Sequence, residues 1–336
     1  MEAGAGTEMH GPEQEAFFCR MFEAGGQSRT IGLDALGHCC PGDDTLAWVD
    51  LCDAPADMVD HVWAAWALPQ AARAFLEAGS MPEVEQDGDY FWVRSVVVNE
   101  AGGKEKLAGC VLVCVAGTNR VVTFRSGCIG FIEELRQQQQ GKVAMGMLCA
   151  ESFVATLLDR QLASYFKAIN DYELAIERLE IGILGENARD SLPELQRLRR
   201  WASRLRRMLA PHRNVFGVMS RPDFRPNEGK VADRHFVALD TRFERAMDMV
   251  ENARELVLGS FELFSNQTAL RTNDAMRTLT FVTVVVGVLA IVVGALGMNF
   301  RASFFTTEDA GFFVAVGGLV ALAAGSFLLG RHRRWF

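Results

Sequence analysis

The chain has 336 residues, 49% of them hydrophobic and 23% charged, with 34 Lys+Arg against 42 Asp+Glu and a formal net charge of −8. So large an apolar share excludes an intrinsically disordered chain. The acidic balance counts against a general nucleic-acid binder, which needs a basic excess to meet phosphates.

Residues 1–45 read as a polar, Gly-rich, loose leader. Its early residues Glu2, Glu8, Glu13 and Glu15, with no long apolar run, give no sign of a signal peptide. The eight cysteines, Cys19, Cys39, Cys40, Cys52, Cys110, Cys114, Cys128 and Cys149, are expected as reduced thiols of a cytoplasmic domain. Residues 46–140 read as a compact cytoplasmic α/β domain. Leu46–Leu51 is expected as a strand, and Pro55–Trp66 and Gln70–Ala78 as helices, the second opened by Pro69. Tyr90–Val98, Leu107–Val115 and Arg120–Phe124 are β-branched or aromatic runs between Gly and Asn signals, so they read as strands. The first two are expected to form a hairpin around Asn99–Lys104.

Residues 141–229 read as a cytoplasmic helical region. Ala144–Leu184 is one long amphipathic pattern. Ser191–Met219 is expected as a second helix, opened by Ser191, Pro193 and Glu194. Ser220–Gly229, with Pro222, Pro226 and Gly229, reads as a loop. Residues 230–300 read as one very long stalk helix that continues into a first membrane span. Ala232–Leu296 contains no Pro, and Gly259 is its only Gly before the apolar run. A helix of that length is unstable alone and is expected to be bundled or oligomeric.

Two uncharged stretches, Thr278–Phe300 and Ala310–Gly330, are each about 20 residues, the length an α-helix needs to cross a hydrocarbon core. Residues 310–330 are thus a second span, 301–309 an outer loop and 331–336 a basic tail. Arg271 and Arg277 precede the first span, and Arg331, Arg333 and Arg334 follow the second. The positive-inside rule therefore puts both termini in the cytoplasm and the short loop outside, and a bacterial-type inner membrane is the expected location.

No phosphate-binding loop, dinucleotide fingerprint, zinc-protease motif or nucleophile elbow is present, and no enzymatic activity is expected. His38, Cys39 and Cys40 with Asp43 and Asp44 have soft-metal chemistry but no standard spacing, and read as ordinary loop residues. Cys110 and Cys114 share one strand face and read as small buried hydrophobes. The run Arg197, Arg199, Arg200, Arg204, Arg206 and Arg207 is better explained by pairing with acids of the next helix, among them Asp240, Glu244, Asp248, Glu251 and Glu255, than by nucleic acid or anionic lipid.

Asn273, Met276, Thr280, Thr283, Gly287, Ala290 and Gly294 recur at threes and fours and share one helix face. Phe281, Val285, Leu289 and Val292 lie away from it. Such a face suits either small-residue packing between transmembrane helices or the wall of a narrow pore.

The segment Asn273-Asp274-Ala275-Met276-Arg277-Thr278-Leu279-Thr280, followed without a gap by an apolar run and Gly297-Met298-Asn299, resembles the N-x-x-M-x-x-L-T…G-M-N signature of the CorA family of divalent metal-ion transporters. The similarity extends to the tail Arg331–Phe336 and, more weakly, to Arg199–Pro211 and Trp48–Leu51. The resemblance implies an α+β cytoplasmic domain, a stalk helix and two C-terminal transmembrane helices, in a funnel-shaped homopentamer with a central pore. Gly297, Met298 and Asn299 would form the selectivity filter, with Asn299 holding the metal through its hydration shell. Met276 and Leu279 would form an apolar constriction, with Asn273 just below. Glu308 and Asp309 would attract cations at the outer loop. The expected partners are further copies of the chain, the lipid bilayer and divalent ions, with Mg²⁺, Zn²⁺, Co²⁺ and Ni²⁺ all open as cargo, no resident cofactor and no nucleic acid. Val288 stands where the family has a mid-span Pro, and Ala238 where its magnesium-sensing Asp falls by the same count. The alternative from a different class is a non-conducting membrane scaffold or metal sensor of the same fold.

Overall fold

A computed structural model describes residues 16–23, 26–42, 45–99, 108–137, 149–185, 191–224, 230–297 and 308–332. The chain divides into two compact units, one formed by residues 1–178 and 193–258, the other by residues 179–192 and 259–336.

The first unit is built on a seven-stranded sheet: β1 (Phe17–Glu23), β2 (Ser28–Thr30), β3 (Thr45–Cys52), β4 (Glu83–Asp87), β5 (Tyr90–Asn99), β6 (Ala108–Gly117) and β7 (Arg120–Arg125). Its order is β2-β1-β3-β7-β6-β5-β4. Every pair is antiparallel except β3 with β7. Side chains alternate across the sheet. Ala47, Val49 and Leu51 face one core together with the 3₁₀ turn Leu33–His38, helix α1 (Ala56–Trp66) and helix α2 (Gln70–Glu77). Trp48 faces the other way. It meets Phe18 at 5.5 Å, and it meets Phe153 at 5.6 Å, on helix α4 (Ala150–Leu184). Helix α3 (Gly130–Gln137) follows β7. Helices α5 (Ser191–Leu209) and α6 (His212–Met219) and the first part of α7 (Lys230–Leu296) complete this unit's helical part.

Two polar devices fix the sheet. Asp50 is fully buried between β3 and β7. It accepts from Thr123 Oγ1 at 2.6 Å and Arg125 Nε at 3.1 Å, and Arg136 Nε of α3 stands 2.9 Å from it. Thr123 in turn accepts from Trp48 Nε1 at 3.0 Å. A buried carboxylate with this many donors is satisfied. The second device seals β5 beyond Arg94, where β4 stops pairing. The Val96 N–H donates to His212 Nε2 at 3.0 Å, and the Val96 carbonyl accepts from Gln161 and Tyr165 at 2.8 and 3.0 Å. The Val98 N–H donates to Ser164 at 3.2 Å. Side chains of α4 and α6 thus close an edge that would otherwise be open to other strands.

Several expectations change. Residues 1–45 are not a loose leader throughout, because Phe17–Glu23 is an internal strand paired on both sides. Its charged centre hid it, yet Arg20 is satisfied, donating to the Arg136 carbonyl at 2.9 Å. The acidic β4 has no apolar alternation, and only its pairing with β5 makes it a strand. Ser191–Met219 is two helices, because Pro211 cannot donate to the ladder and breaks the run after Leu209. The connection expected at Asn99–Lys104 lies, apart from Asn99, outside the described residues, as do Ala144–Leu148 and residues 225–229 of the Ser220–Gly229 loop.

The second unit holds the end of α4, the start of α5, the rest of α7 and helix α8 (Glu308–His332). Helices α7 and α8 each contain a stretch long and apolar enough to cross a membrane, and both stretches are almost entirely uncovered in a single chain.

Candidate functional site

Within the second unit, α7 presents two opposite faces. At 3.6 residues per turn, Thr278, Phe281, Val285, Leu289, Val292 and Leu296 fall on one stripe, and these are the half-buried residues of the span. Asn273, Met276, Thr280, Thr283, Gly287, Ala290 and Gly294 fall on the other side, and every one is exposed. Met276 and Leu279 are 62% and 67% exposed, so among the described residues nothing covers the expected constriction. A Cβ built at Gly287 or Gly294 meets nothing within 4 Å. On α8 the half-covered Gly311, Ala315, Leu319, Ala323 and Ser326 also recur at threes and fours, opposite exposed Phe313 and Val320. Each span therefore has one apolar stripe partly covered and a remainder left open.

The threonines of the span bond back into the helix. Thr280 Oγ1 donates to the Met276 carbonyl and Thr283 Oγ1 to the Leu279 carbonyl, both at 2.8 Å. Thr278, on the covered side, donates to the Asp274 carbonyl at 3.0 Å. Such i−4 bonds place the hydroxyl against the backbone of the preceding turn.

Gly297 ends α7 as a turn residue, its N–H donating to the Val293 carbonyl at 3.0 Å. Met298 and Asn299 lie outside the described residues, as do the outer-loop residues 301–307 and the tail residues 333–336. Glu308 and Asp309, expected in the outer loop, instead form the first turn of α8.

Two polar residues that sequence reasoning did not single out join the uncovered face below Asn273. Asn266 and Glu262, seven and eleven positions earlier, are both exposed. The same helical spacing that picked out Asn273 finds them once it is carried past the membrane boundary. On the other side of α7, Ser260 is buried and donates to Glu180 of α4 at 2.6 Å. Arg271 donates to the Gly185 carbonyl just past α4. These bonds hold the α4 end against α7 near the start of the span.

Cys39 is buried in the hydrophobic core, Cys40 is exposed, and Asp43 and Asp44 lie outside the described residues. Among the described residues, no group of three or more His, Cys, Asp or Glu could hold a metal ion. Burial pushes the Cys19 thiol up to about 12, and it pushes the fully buried Cys114 thiol further. Cys110 is half-buried and accepts from Asn99 Nδ2 at 3.2 Å. In the arginine run, Arg206 donates to Glu251 of α7 and holds that carboxyl below the usual carboxylate range. Arg213 pairs with Glu244 at 3.0 Å. Within the run, pairing with the next helix is thus observed at Arg206; Arg213 lies beyond the run, and Arg197 pairs within its own helix with Glu194.

Residues 43–331 match the family model described as CorA-like Mg²⁺ transporter protein. The chain belongs to the CorA family. Among curated relatives, the cobalt/magnesium transport protein CorA of Thermotoga maritima is 25% identical over 152 residues, covering 45% of this chain and 43% of that one, so the aligned part spans less than half of that relative. The divalent cation transporter CmaX of Pseudomonas aeruginosa is 25% identical over 248 residues, covering 73% of this chain and 72% of that one. Among solved structures, the complete CorA magnesium transporter from Methanocaldococcus jannaschii superposes with a TM-score of 0.72 at 18% identity, covering 95% of this chain and 98% of that one. At that identity the likeness is one of fold. The CorA architecture is present in this chain: an α+β domain, a long helix and two C-terminal apolar helices.

Proposed function

We propose that this chain is one subunit of a homopentameric, membrane-spanning pore for divalent cations, in which the uncovered face of α7 lines the path. The observation that carries this reading is the division of α7, where small and polar residues stand open opposite a partly covered apolar stripe. The Thermotoga relative is a cobalt/magnesium transport protein and the Pseudomonas relative a divalent cation transporter, and both support the cargo class.

In this reading, amide oxygens of Asn299, in the Gly297-Met298-Asn299 motif, hydrogen-bond the hydration shell at the outer mouth. That suits Mg²⁺, which gives up its water reluctantly. Met276 and Leu279 form an apolar constriction able to close by dewetting. Asn273, Asn266 and Glu262 line the inner exit, and Glu308 and Asp309 raise the local cation concentration outside. Both termini are cytoplasmic. The cation is cargo, and the protein needs neither a resident cofactor nor an enzymatic step. Inward flow is driven by the membrane potential, worth about 4.6 kcal/mol for a divalent ion across 100 mV.

The test is flux of Mg²⁺, Zn²⁺, Co²⁺ and Ni²⁺ into liposomes. Asn299→Ala is expected to abolish flux while assembly persists. Unchanged flux would remove the filter assignment, and a wild-type protein that passes none of the four ions would favour the scaffold alternative.

A further inference from the structure

Pairing accounts for only part of the arginine run. Helix α5 carries six arginines against one glutamate, on a chain whose formal net charge is −8. Arg206 reaches Glu251, and Arg197 stays with Glu194. Arg199, Arg200, Arg204 and Arg207 are exposed, and among the described residues none of the four forms an ion pair. They share one side of the helix, opposite its buried leucines. Arg200 and Arg204 stand at i and i+4, where like charges oppose each other. Such a face is stabilised by acidic cover.

We propose that residues 1–15 of the same chain dock along the arginine face of α5 as an acidic clasp. This is independent of the pore reading. The segment holds Glu2, Glu8, Glu13 and Glu15 and no Lys or Arg. It lies outside the described residues and is followed by β1 at Phe17. Phe17 stands in one row with Leu51, Phe124 and Val113, so β1 and β6 are three strand spacings apart, about 14 Å. The start of β1 points to the sheet end at which β6 begins. There a Cβ at Gly109 would lie 3.2 Å from Met208 Cε of α5, the neighbour of Arg207. From Arg207 to Arg199 is about 12 Å along the helix. Fifteen extended residues reach about 50 Å, enough to follow the whole face. The tether gives the glutamates a millimolar effective concentration, while the acidic chain repels free polyanions. Each exposed pair is weak alone, so the clasp acts as a set and opens in salt.

The experiment places benzoylphenylalanine at Met9 of the full chain in nanodiscs and maps the photo-crosslinks by mass spectrometry. Crosslinks are expected at residues 197–207 of the same chain. They should fall at least about fivefold in about 0.5 M NaCl. The same fall is expected when Glu2, Glu8, Glu13 and Glu15 are all changed to Gln, and in the surface variant Arg200→Gln/Arg204→Gln. Crosslinks that map elsewhere, or that resist both salt and the Gln variants, overturn the proposal. Crosslinks found only in covalently joined pairs of chains also overturn it, and assign the face to a second copy. Absence of crosslinks to α5, with heparin bound by the parent and not by Arg200→Gln/Arg204→Gln, overturns it in favour of an external polyanion.

Discussion

His212 is a neutral imidazole held in one tautomer. Its Nε2 accepts from the Val96 N–H and its Nδ1 donates to the Leu209 carbonyl at 3.1 Å, with Gln161, Tyr165 and Phe216 around it. Burial pushes its pKa down to about 4 from 6.5. Above pH 6.5 the ring is neutral in both states, and its full contribution to stability is present. Between pH 6.5 and about 4 the unfolded chain takes up a proton that the fold refuses, so stability falls, by on the order of 3 kcal/mol in total. Melting of the full chain in detergent should show this loss, and His212→Gln should flatten it. An unchanged pH slope in that variant would assign the loss to other groups. Asp50 makes the opposite kind of prediction. Asp50→Ala leaves Arg125, itself fully buried, with only the half-buried Glu133 as a carboxylate partner. The expected cost is about 3–5 kcal/mol, measured as a fall in denaturation midpoint. Glu133→Ala should cost less. Neither residue stood out in the sequence. A lone His or Asp is legible only once the fold shows what surrounds it.

At the scale of elements, glycine positions separate packing from permeation. A Cβ at Gly117 of β6 would lie 2.5 Å from Tyr90 Cδ1 and 2.8 Å from the Asp89 carbonyl oxygen. Gly117→Ala should therefore destabilise the protein by about 1–3 kcal/mol, read as a lower melting temperature. Gly287→Leu meets open space and should leave melting unchanged within about 0.5 kcal/mol. The same substitution should lower divalent flux about tenfold if this face lines a pore. Equal stability loss in the two variants would contradict the division of faces. The same contrast explains what the sequence disclosed. Strands such as Val96–Val98 and Val121–Val122 declare themselves through β-branched residues, and α7 through its period. Strand β1 did not, because Arg20 stands in its centre and donates to carbonyls of α3, more than a hundred positions away. The period also revealed which residues of α7 share a face. In the proposed assembly further copies of the chain cover that face, and no single sequence displays them.

For the whole molecule, the acidic balance and the missing nucleotide motifs lead to one expectation. Flux into vesicles should follow the membrane potential and ignore ATP. Collapsing an inside-negative potential of 100 mV removes about 4.6 kcal/mol of driving force per divalent ion. A potassium diffusion potential set with an ionophore checks this directly, and flux that responds to ATP and not to voltage would point to a different energy source.

The single parallel pairing in the sheet also governs the order of events on the ribosome. β3 finds β7 across 73 positions, as in the bond between Asp50 and Thr123. Until β7 emerges, one side of β3, with Trp48, Val49 and Leu51, has no strand to bind. Chaperone demand should therefore peak before Arg125 is made. The apolar run that engages the insertion machinery begins 153 positions later, at Thr278. At ordinary translation rates that interval is about 8–30 s. The sheet thus has time to close before the chain is drawn to the membrane, and a destabilised sheet would arrive there unfinished.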